Sequence, residues 1–181
     1  MRERRLFVAL PLPPEISAQL ERLPAAFSRE GVRWVPAPNW HLTLLFLGGV
    51  AEEAVEGCVA ALRSAPLPGP FSLQLCPAVT AVDRRGRTEM LWATFEPGLP
   101  FAQLCYRVAD ALGRPPDKEP RPHVTLARTR KDFRGRLNAA LFPPLEPLAL
   151  PVEGFELWES TLSPGGATYH SLARFALTEN K

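Results

Sequence analysis

The chain has few groups that would tie it together covalently or hold a metal. Its 181 residues include three cysteines, Cys58, Cys76 and Cys105, widely spaced and in no C-x-x-C arrangement. An odd, scattered set of thiols supplies neither a disulfide framework nor a zinc cage, and it suits a reducing cytoplasm. Long hydrophobic runs are missing as well. A helix that crosses a bilayer needs roughly 20 consecutive apolar residues, and here Pro, Gly or a charge cuts each apolar stretch short. A helical membrane protein is therefore not expected. Arg2-Glu3-Arg4-Arg5 before Leu6-Phe7-Val8-Ala9-Leu10 has the order of a signal peptide, but Pro11, Pro13, Pro14 and Glu15 end the apolar part too early. It reads as a first strand. A large charge of one sign is also lacking: the net charge is +2, too mild for a generic nucleic-acid coat. Lysine occurs only at positions 118, 131 and 181, so the positive charge is nearly all arginine, whose planar fork matches phosphate oxygens. Biased genome composition accounts for most of such an excess.

What the chain does have is 46% apolar residues, enough to bury the core of one domain spanning 1–181. Twenty-one prolines fall mainly between patterned segments, where they end helices and fix loops. The patterns predict strands at 6–10, 32–35 and 42–47, and helices at 14–28, 52–63 and 101–112. Leu20, Leu23 and Phe27 share a face of the first helix, Val55, Val59 and Leu62 one of the second, and Gly113 stops the third. Between the last two helices an antiparallel meander is expected from 71–75, 79–83 and 90–95, with a turn at Asp83-Arg84-Arg85-Gly86. A strand at 122–127, a short helical piece near 133–141 and a hairpin pairing 154–163 with 168–176 across Ser163-Pro164-Gly165-Gly166 complete the chain. The expected fold class is α+β: two pseudo-symmetric lobes, antiparallel sheets facing a central cleft, helices outside.

The symmetry rests on a repeated motif. Asn39-Trp40-His41-Leu42-Thr43-Leu44 in one half matches Arg121-Pro122-His123-Val124-Thr125-Leu126 in the other, and the chain has only three histidines. Residues i and i+2 of a strand share a face, so His41 and Thr43 point one way while Leu42, Leu44 and Phe46 are expected in the core. His123 and Thr125 repeat this over Val124 and Leu126. A single His-x-Thr would be an ordinary half-buried polar pair; its duplication changes the reading. Facing each other across a cleft, the pair would flank a phosphorus atom, acid on one lobe and base on the other, as in-line displacement requires. Histidine titrates near neutrality and suits both roles, and the threonine hydroxyls would donate to non-bridging oxygens.

The paired motifs, the opening Leu6-Phe7-Val8-Ala9-Leu10-Pro11 and the stretch from His41 to Gly48 resemble the bacterial and archaeal RNA 2',3'-cyclic phosphodiesterases. These belong to the 2H phosphoesterase superfamily and were historically called 2'-5' RNA ligases. The resemblance spans essentially the whole chain. It implies a hydrolase that opens a terminal 2',3'-cyclic phosphate on RNA to a 2'-phosphomonoester; tRNA fragments among the substrates, a monomeric state and a cytoplasmic location are further expectations. Neither metal nor cofactor is implied, and reversible 2'-5' ligation of RNA halves, with a 5'-hydroxyl replacing water, is a side reaction open to the same site. His41 then matches the proton donor to the departing 3'-oxygen, and His123 the acceptor that activates water. Thr43 and Thr125 match phosphate contacts, and so does Arg128. For Arg128 strand parity disagrees, because five residues after His123 an ideal strand faces the other way; either the strand bends near Ala127 or Arg128 is structural.

Other candidates read as ordinary structure. His170 has no threonine two places on and is expected at a surface. Trp34, Trp40 and Phe7 have the chemistry to stack on a base, though core packing is the commoner fate of such residues. Arg84, Arg85 and Arg87, and the patch of Arg128, Arg130, Lys131, Arg134 and Arg136, are solvated loops by default and RNA-guiding surfaces otherwise. Two rival functions share the site: a phosphodiesterase acting on small cyclic nucleotides or ADP-ribose cyclic phosphate, and a non-catalytic RNA-binding module. Two titrating groups argue against a pure binder.

Overall fold

The computed structural model describes residues 2–26, 31–84, 88–115, 118–133, 135–164 and 166–179. Within them the chain is α+β and built on one antiparallel sheet. Its strands are β1 (Glu3–Pro11), β2 (Val32–Trp34), β3 (His41–Ala51), β4 (Phe71–Arg84), β5 (Thr88–Phe95), β6 (His123–Thr129), β7 (Ala149–Val152), β8 (Gly154–Ser163) and β9 (Gly166–Ala176). The sheet order is β7-β4-β5-β6-β3-β1-β8-β9, with β2 on β6 as well. The helices are α1 (Pro14–Leu20), α2 (Leu23–Ala26), α3 (Val55–Ser64) and α4 (Leu99–Ala111).

Several expectations shift for identifiable reasons. The helix expected at 14–28 stops at Leu20 and resumes as α2. Pro24 has no N–H for the Leu20 carbonyl and its ring would collide with it, so a continuous helix is broken there. Phe27, Arg85 and Gly86 of the turn, Arg87, Arg134 and Gly165 lie outside the described residues. The two strands expected at 71–75 and 79–83 are one strand, β4, whose register on β5 slips between Leu75 and Val79. The helical piece near 133–141 shrinks to one 3₁₀ turn at Ala139–Leu141, and the sequence pattern missed β7. Gly113 ends α4 in the left-handed conformation, φ 60°, as expected of a residue without Cβ.

Alternation along the central strands separates two layers. Leu6, Val8 and Leu10 of β1, Leu42 and Leu44 of β3 and Val124 and Leu126 of β6 share one core with Ile16 and Leu20 of α1, Leu62 of α3 and Phe101, Leu104 and Val108 of α4. On the opposite face of β1, Phe7 and Ala9 form a small separate cluster with Trp158 of β8, against which Tyr169 of β9 packs. Helices thus cover one face of the central strands, and the histidine-bearing face is left to aromatic side chains. No helix among the described residues is long and apolar enough to cross a membrane.

The two halves meet between β3 and β6, at the single ladder pair Leu42 opposite Val124. Beyond it β6 turns to β2, pairing Trp34 with Ala127 and Val32 with Thr129. The strands therefore part where the two motifs stand, and β2 satisfies the backbone of β6 that β3 leaves.

Glycine contacts give a first test. A Cβ on Gly154, at the start of β8, would lie 2.5 Å from the Phe175 carbonyl oxygen, whereas one on Gly57 of α3 meets nothing within 4 Å. Gly154→Ala is expected to destabilise the fold by about 1–3 kcal/mol, and Gly57→Ala to stabilise it by about 0.5–1 kcal/mol. Urea unfolding of the two variants measures both; equal midpoints would contradict this packing of β8 on β9.

Candidate active site

Each motif histidine is the first residue of its strand, which the chain enters from a 3₁₀ turn at Ala37–Asn39 in the first half and from non-repetitive backbone in the second. His41 Nδ1 lies 2.7 Å from the carbonyl oxygen of Asn39, and His123 Nδ1 lies 2.7 Å from that of Arg121. A carbonyl only accepts, so in both rings Nδ1 carries the proton and donates it. The neutral tautomer is thereby fixed in the same sense twice, with Nε2 left for chemistry. In His41 that atom lies 3.1 Å from the hydroxyl oxygen of Thr43. Asn39 is further anchored through its side-chain amide, which donates to the Ala167 carbonyl at 2.7 Å.

Register brings the motifs together. With Leu42 opposite Val124 in antiparallel strands, His41 falls on the Thr125 side of that pair and Thr43 on the His123 side. All four side chains are half-buried while Leu42, Leu44, Val124 and Leu126 are buried. The structure thus places His41, Thr43, His123 and Thr125 on one face at the seam between the halves.

Arg128 joins them through a bulge. Across β5 and β6, Leu91 pairs with Ala127 but Trp92 pairs with Thr125, so Leu126 is an extra residue in the ladder. Leu126 and Ala127 are both buried, and Arg128 returns to the face of His123 and Thr125. Of the alternatives left open by parity, the strand bends. The first motif repeats the device: Val8 pairs with Leu45 and Ala9 with Thr43, leaving Leu44 extra. Phe46 is consequently not in the core, as simple alternation predicted, but 64% exposed. It occupies in the first half the place that Arg128 occupies in the second.

The surroundings of the two imidazoles differ. His41 is ringed by Phe7, Trp158 and Tyr169, with centroids at 4.9, 5.3 and 5.4 Å. Burial pushes its pKa down from 6.5 to about 4; the Asn39 carbonyl opposes this, and His123 and Arg128 add to it. His123 instead stacks on Trp92 of β5, 3.7 Å between centroids and 22° between planes. Its pKa is also lowered, first by burial and then by Arg128 and Arg121, against the Arg121 carbonyl. Arg128 acts on both rings, which sets its charge near both, and its Nη1 also reaches Met90 Sδ at 3.7 Å.

Sequence reasoning missed Trp92, Trp158, Tyr169 and Asn39. They come from strands or turns distant in the chain, and only pairing brings them to the histidines. Glu156, buried at the start of β8, accepts from the Trp158 indole N–H at 2.6 Å and pairs with Arg174 at 2.9 Å, which fixes the ring that covers His41. Trp40 is buried in the main core, and Trp34 packs edge-on to Phe142 at 6.1 Å. His170 is exposed, opposite Glu159 in the β8–β9 ladder. Of the basic residues beyond the second motif, Arg130 pairs with Asp132 at 3.3 Å on the surface. Among the described residues no group of three or more His, Cys, Asp or Glu is arranged to hold a metal ion.

The chain matches known proteins in sequence and in fold. The model of the LigT-like phosphoesterase family matches residues 10–89 and 97–169. The chain is 38% identical to an RNA 2',3'-cyclic phosphodiesterase of Thermus thermophilus, over 96% of this chain and 90% of that protein. It is 30% identical to the Escherichia coli protein of the same name, over 97% and 98% of the two. Its fold is similar to a solved Thermus thermophilus protein with a TM-score of 0.79 and 33% identity, covering 98% of this chain and all of the other.

The desolvation of His41 links pH to stability. An ordinary imidazole in the unfolded chain binds more protons than the folded chain between pH 6.5 and about 4, so stability rises with pH across that window and is lost as pH falls through it. Thermal midpoints are expected to drop from pH 6.5 to 4, and His41→Phe to remove part of the drop. Arg128→Gln is expected to move the NMR titration midpoints of both His41 and His123 upward. An unmoved pair would separate Arg128 from the site.

Proposed function

From the membership of this chain in the LigT-like phosphoesterase family, we propose that it hydrolyses RNA-terminal 2',3'-cyclic phosphates at the seam between β3 and β6, with no metal taking part. The chain belongs to the LigT-like phosphoesterase family, and two relatives named RNA 2',3'-cyclic phosphodiesterase, 38% and 30% identical over nearly the whole chain, support this reading of its substrate. The observation that carries the site assignment is the duplicated geometry: two imidazoles, each with Nδ1–H held by the carbonyl two residues earlier, on one face at a one-pair junction.

The cyclic phosphate sits between the rings, with the Thr43 and Thr125 hydroxyls and the Arg128 guanidinium on its non-bridging oxygens. His123 Nε2 takes a proton from the attacking water. The electron-rich face of Trp92 stabilises the charge that then appears on the ring. His41, protonated in the complex, gives its Nε2 proton to the leaving 3'-oxygen, and the P–O3' bond breaks to leave a 2'-phosphomonoester. Burial holds the His41 pKa near 4 in the free protein, and the anionic phosphate beside the ring raises it in the complex, which lets the ring enter the step protonated. With an RNA 5'-hydroxyl in the place of water, the same groups would open the cyclic phosphate to a 2'-5' phosphodiester, the P–O3' bond breaking as the P–O5' bond forms, and by microscopic reversibility they would also return that diester to cyclic phosphate and 5'-hydroxyl.

An oligonucleotide ending in a 2',3'-cyclic phosphate is expected to be opened in the presence of a chelator, with ³¹P NMR showing a 2'-phosphate. His41→Ala and His123→Ala are each expected to lower kcat by about 10²- to 10⁴-fold while oligonucleotide affinity stays within several-fold. Arg128→Gln is expected to lower kcat/KM by about 10- to 100-fold, the loss of a charged hydrogen bond. Full turnover by either histidine variant would remove it from the chemistry. A failure to cleave in chelator, restored by a divalent cation, would overturn the metal-free scheme. Running adenosine 2',3'-cyclic phosphate beside the oligonucleotide separates the RNA reading from the small-nucleotide one.

A further inference from the structure

The sheet face that bears the histidines continues past His41 across β8 and β9. Cross-strand partners form one row on it: Thr43 opposite Ala9, Ala9 opposite Glu156, and Glu156 opposite Arg174. Arg174 is the only lysine or arginine in either β8 or β9. Its Nε donates to one Glu156 carboxylate oxygen at 2.9 Å, and the other oxygen accepts the Trp158 indole N–H at 2.6 Å. Glu156 is buried with both oxygens occupied, whereas the arginine side chain stays 81% exposed. A guanidinium has five N–H donors in a rigid fork. One is committed to Glu156, and the two Nη groups remain for an anion from outside.

Beside this pair lies an open cavity of about 460 Å³, bordered by Trp158, Tyr169, Ser171 and Arg174 on the sheet and by Ser17 and Trp40 opposite. Trp158 and Tyr169 are also rings that flank His41, so the cavity begins where the aromatic cage of the imidazole ends. Apart from Glu156, already satisfied, the polar side chains in its wall can all donate. They include the guanidinium, the serine hydroxyls and the indole N–H of Trp40, which is buried and has no partner among the described residues. A cation beside several donors suits the oxygens of a phosphodiester.

Substrate chemistry says which phosphodiester arrives there. Water attacks from the His123 side, so the departing 3'-oxygen is at His41. C3' bears that oxygen and is bonded to C4', which carries C5' and the linkage to the preceding nucleotide. The RNA chain therefore leaves the reacting phosphate past His41, towards β8 and β9. Arg174 stands three strands from Thr43, and its side chain turns back onto Glu156. Strand spacing then sets the guanidinium about 10 Å from the threonine, beyond the cyclic phosphate and in reach of the next one. We infer that Arg174, held by Glu156, binds the phosphodiester that joins the terminal nucleotide to the one before it. This rests on the catalytic reading above and adds the substrate feature that separates an RNA end from a free cyclic nucleotide. A phosphate contact reads no base, so it serves any sequence.

Three substrates ending in the same cyclic diester test this: an adenosine dinucleotide with its ordinary linkage, the same dinucleotide with an uncharged methylphosphonate linkage, and adenosine 2',3'-cyclic phosphate. Wild-type protein is expected to favour the charged dinucleotide over the methylphosphonate in kcat/KM by about 3- to 10-fold, between the worth of an exposed ion pair and that of a desolvated charged hydrogen bond. Arg174→Gln should abolish that preference, mainly through a raised KM, and Arg174→Lys should keep part of it. Arg5, exposed at the far end of β1, controls for general electrostatic pull, and Arg5→Gln should leave the preference in place. Equal rates on the two dinucleotides in wild-type protein would overturn the inference while leaving the histidine chemistry intact. So would an equal loss in Arg5→Gln, or an Arg174→Gln defect shared alike by all three substrates, which would reduce Arg174 to a support for Glu156 and Trp158. Wild-type protein inert on all three would instead remove the catalytic reading on which the inference stands.

Discussion

Strands β3 and β6 touch at one ladder pair, Leu42 opposite Val124, and the site follows from that brevity. A fully zipped antiparallel pair would close the space above the strands with neighbouring side chains. Here the strands separate on both sides of a fully buried pair, and β2 supplies the hydrogen bonds that β6 would otherwise lack. An unsatisfied buried backbone group costs about 1–3 kcal/mol, so the opening is sustainable only because a third strand fills in. The short β2, which on its own has little to pack, is explained by this service to β6.

The bulges at Leu44 and Leu126 are the second device. Each inserts one residue, so two consecutive apolar side chains face the core, Leu44 and Leu45 in β3, Leu126 and Ala127 in β6. The next residue is thereby re-aimed to the histidine face. Because the same irregularity occurs twice, it belongs to the repeated plan of the fold. It yields a charged contact in one half and an aromatic one in the other. The pseudo-symmetry fixes geometry, and the side chains at equivalent positions make the two halves chemically unlike, as the proposed roles on the nucleophile and leaving-group sides demand.

Electrostatics divides labour in the same way. Both imidazoles are desolvated and both feel Arg128, yet each keeps a backbone carbonyl on Nδ1 that holds orientation and tautomer. His41 lies in an aromatic cage locked by Glu156 through Trp158, and His123 lies against Trp92. Rings held by packing from three or four strands do not need to reorganise when charge develops, which is where such sites gain most of their rate. The three thiols take no comparable part: none is disulfide-bonded, and burial pushes that of Cys105 up to about 12.

By itself the sequence determined the fold class, the doubled motif and the faces of His41, Thr43, His123 and Thr125, because each depends on local periodicity and composition. The break at Pro24 was also written there, in a residue that cannot donate, although the helix was expected to continue past it. Only the tertiary structure decided the direction of Arg128 and Phe46, since a bulge is a mismatch between two strands and neither strand encodes it alone. The same holds for Trp92, Trp158 and Tyr169, which reach the imidazoles through pairings spanning up to 128 residues from His41 to Tyr169. Local pattern settles which way a regular strand faces; what stands opposite, and where regularity fails, is settled by the neighbour.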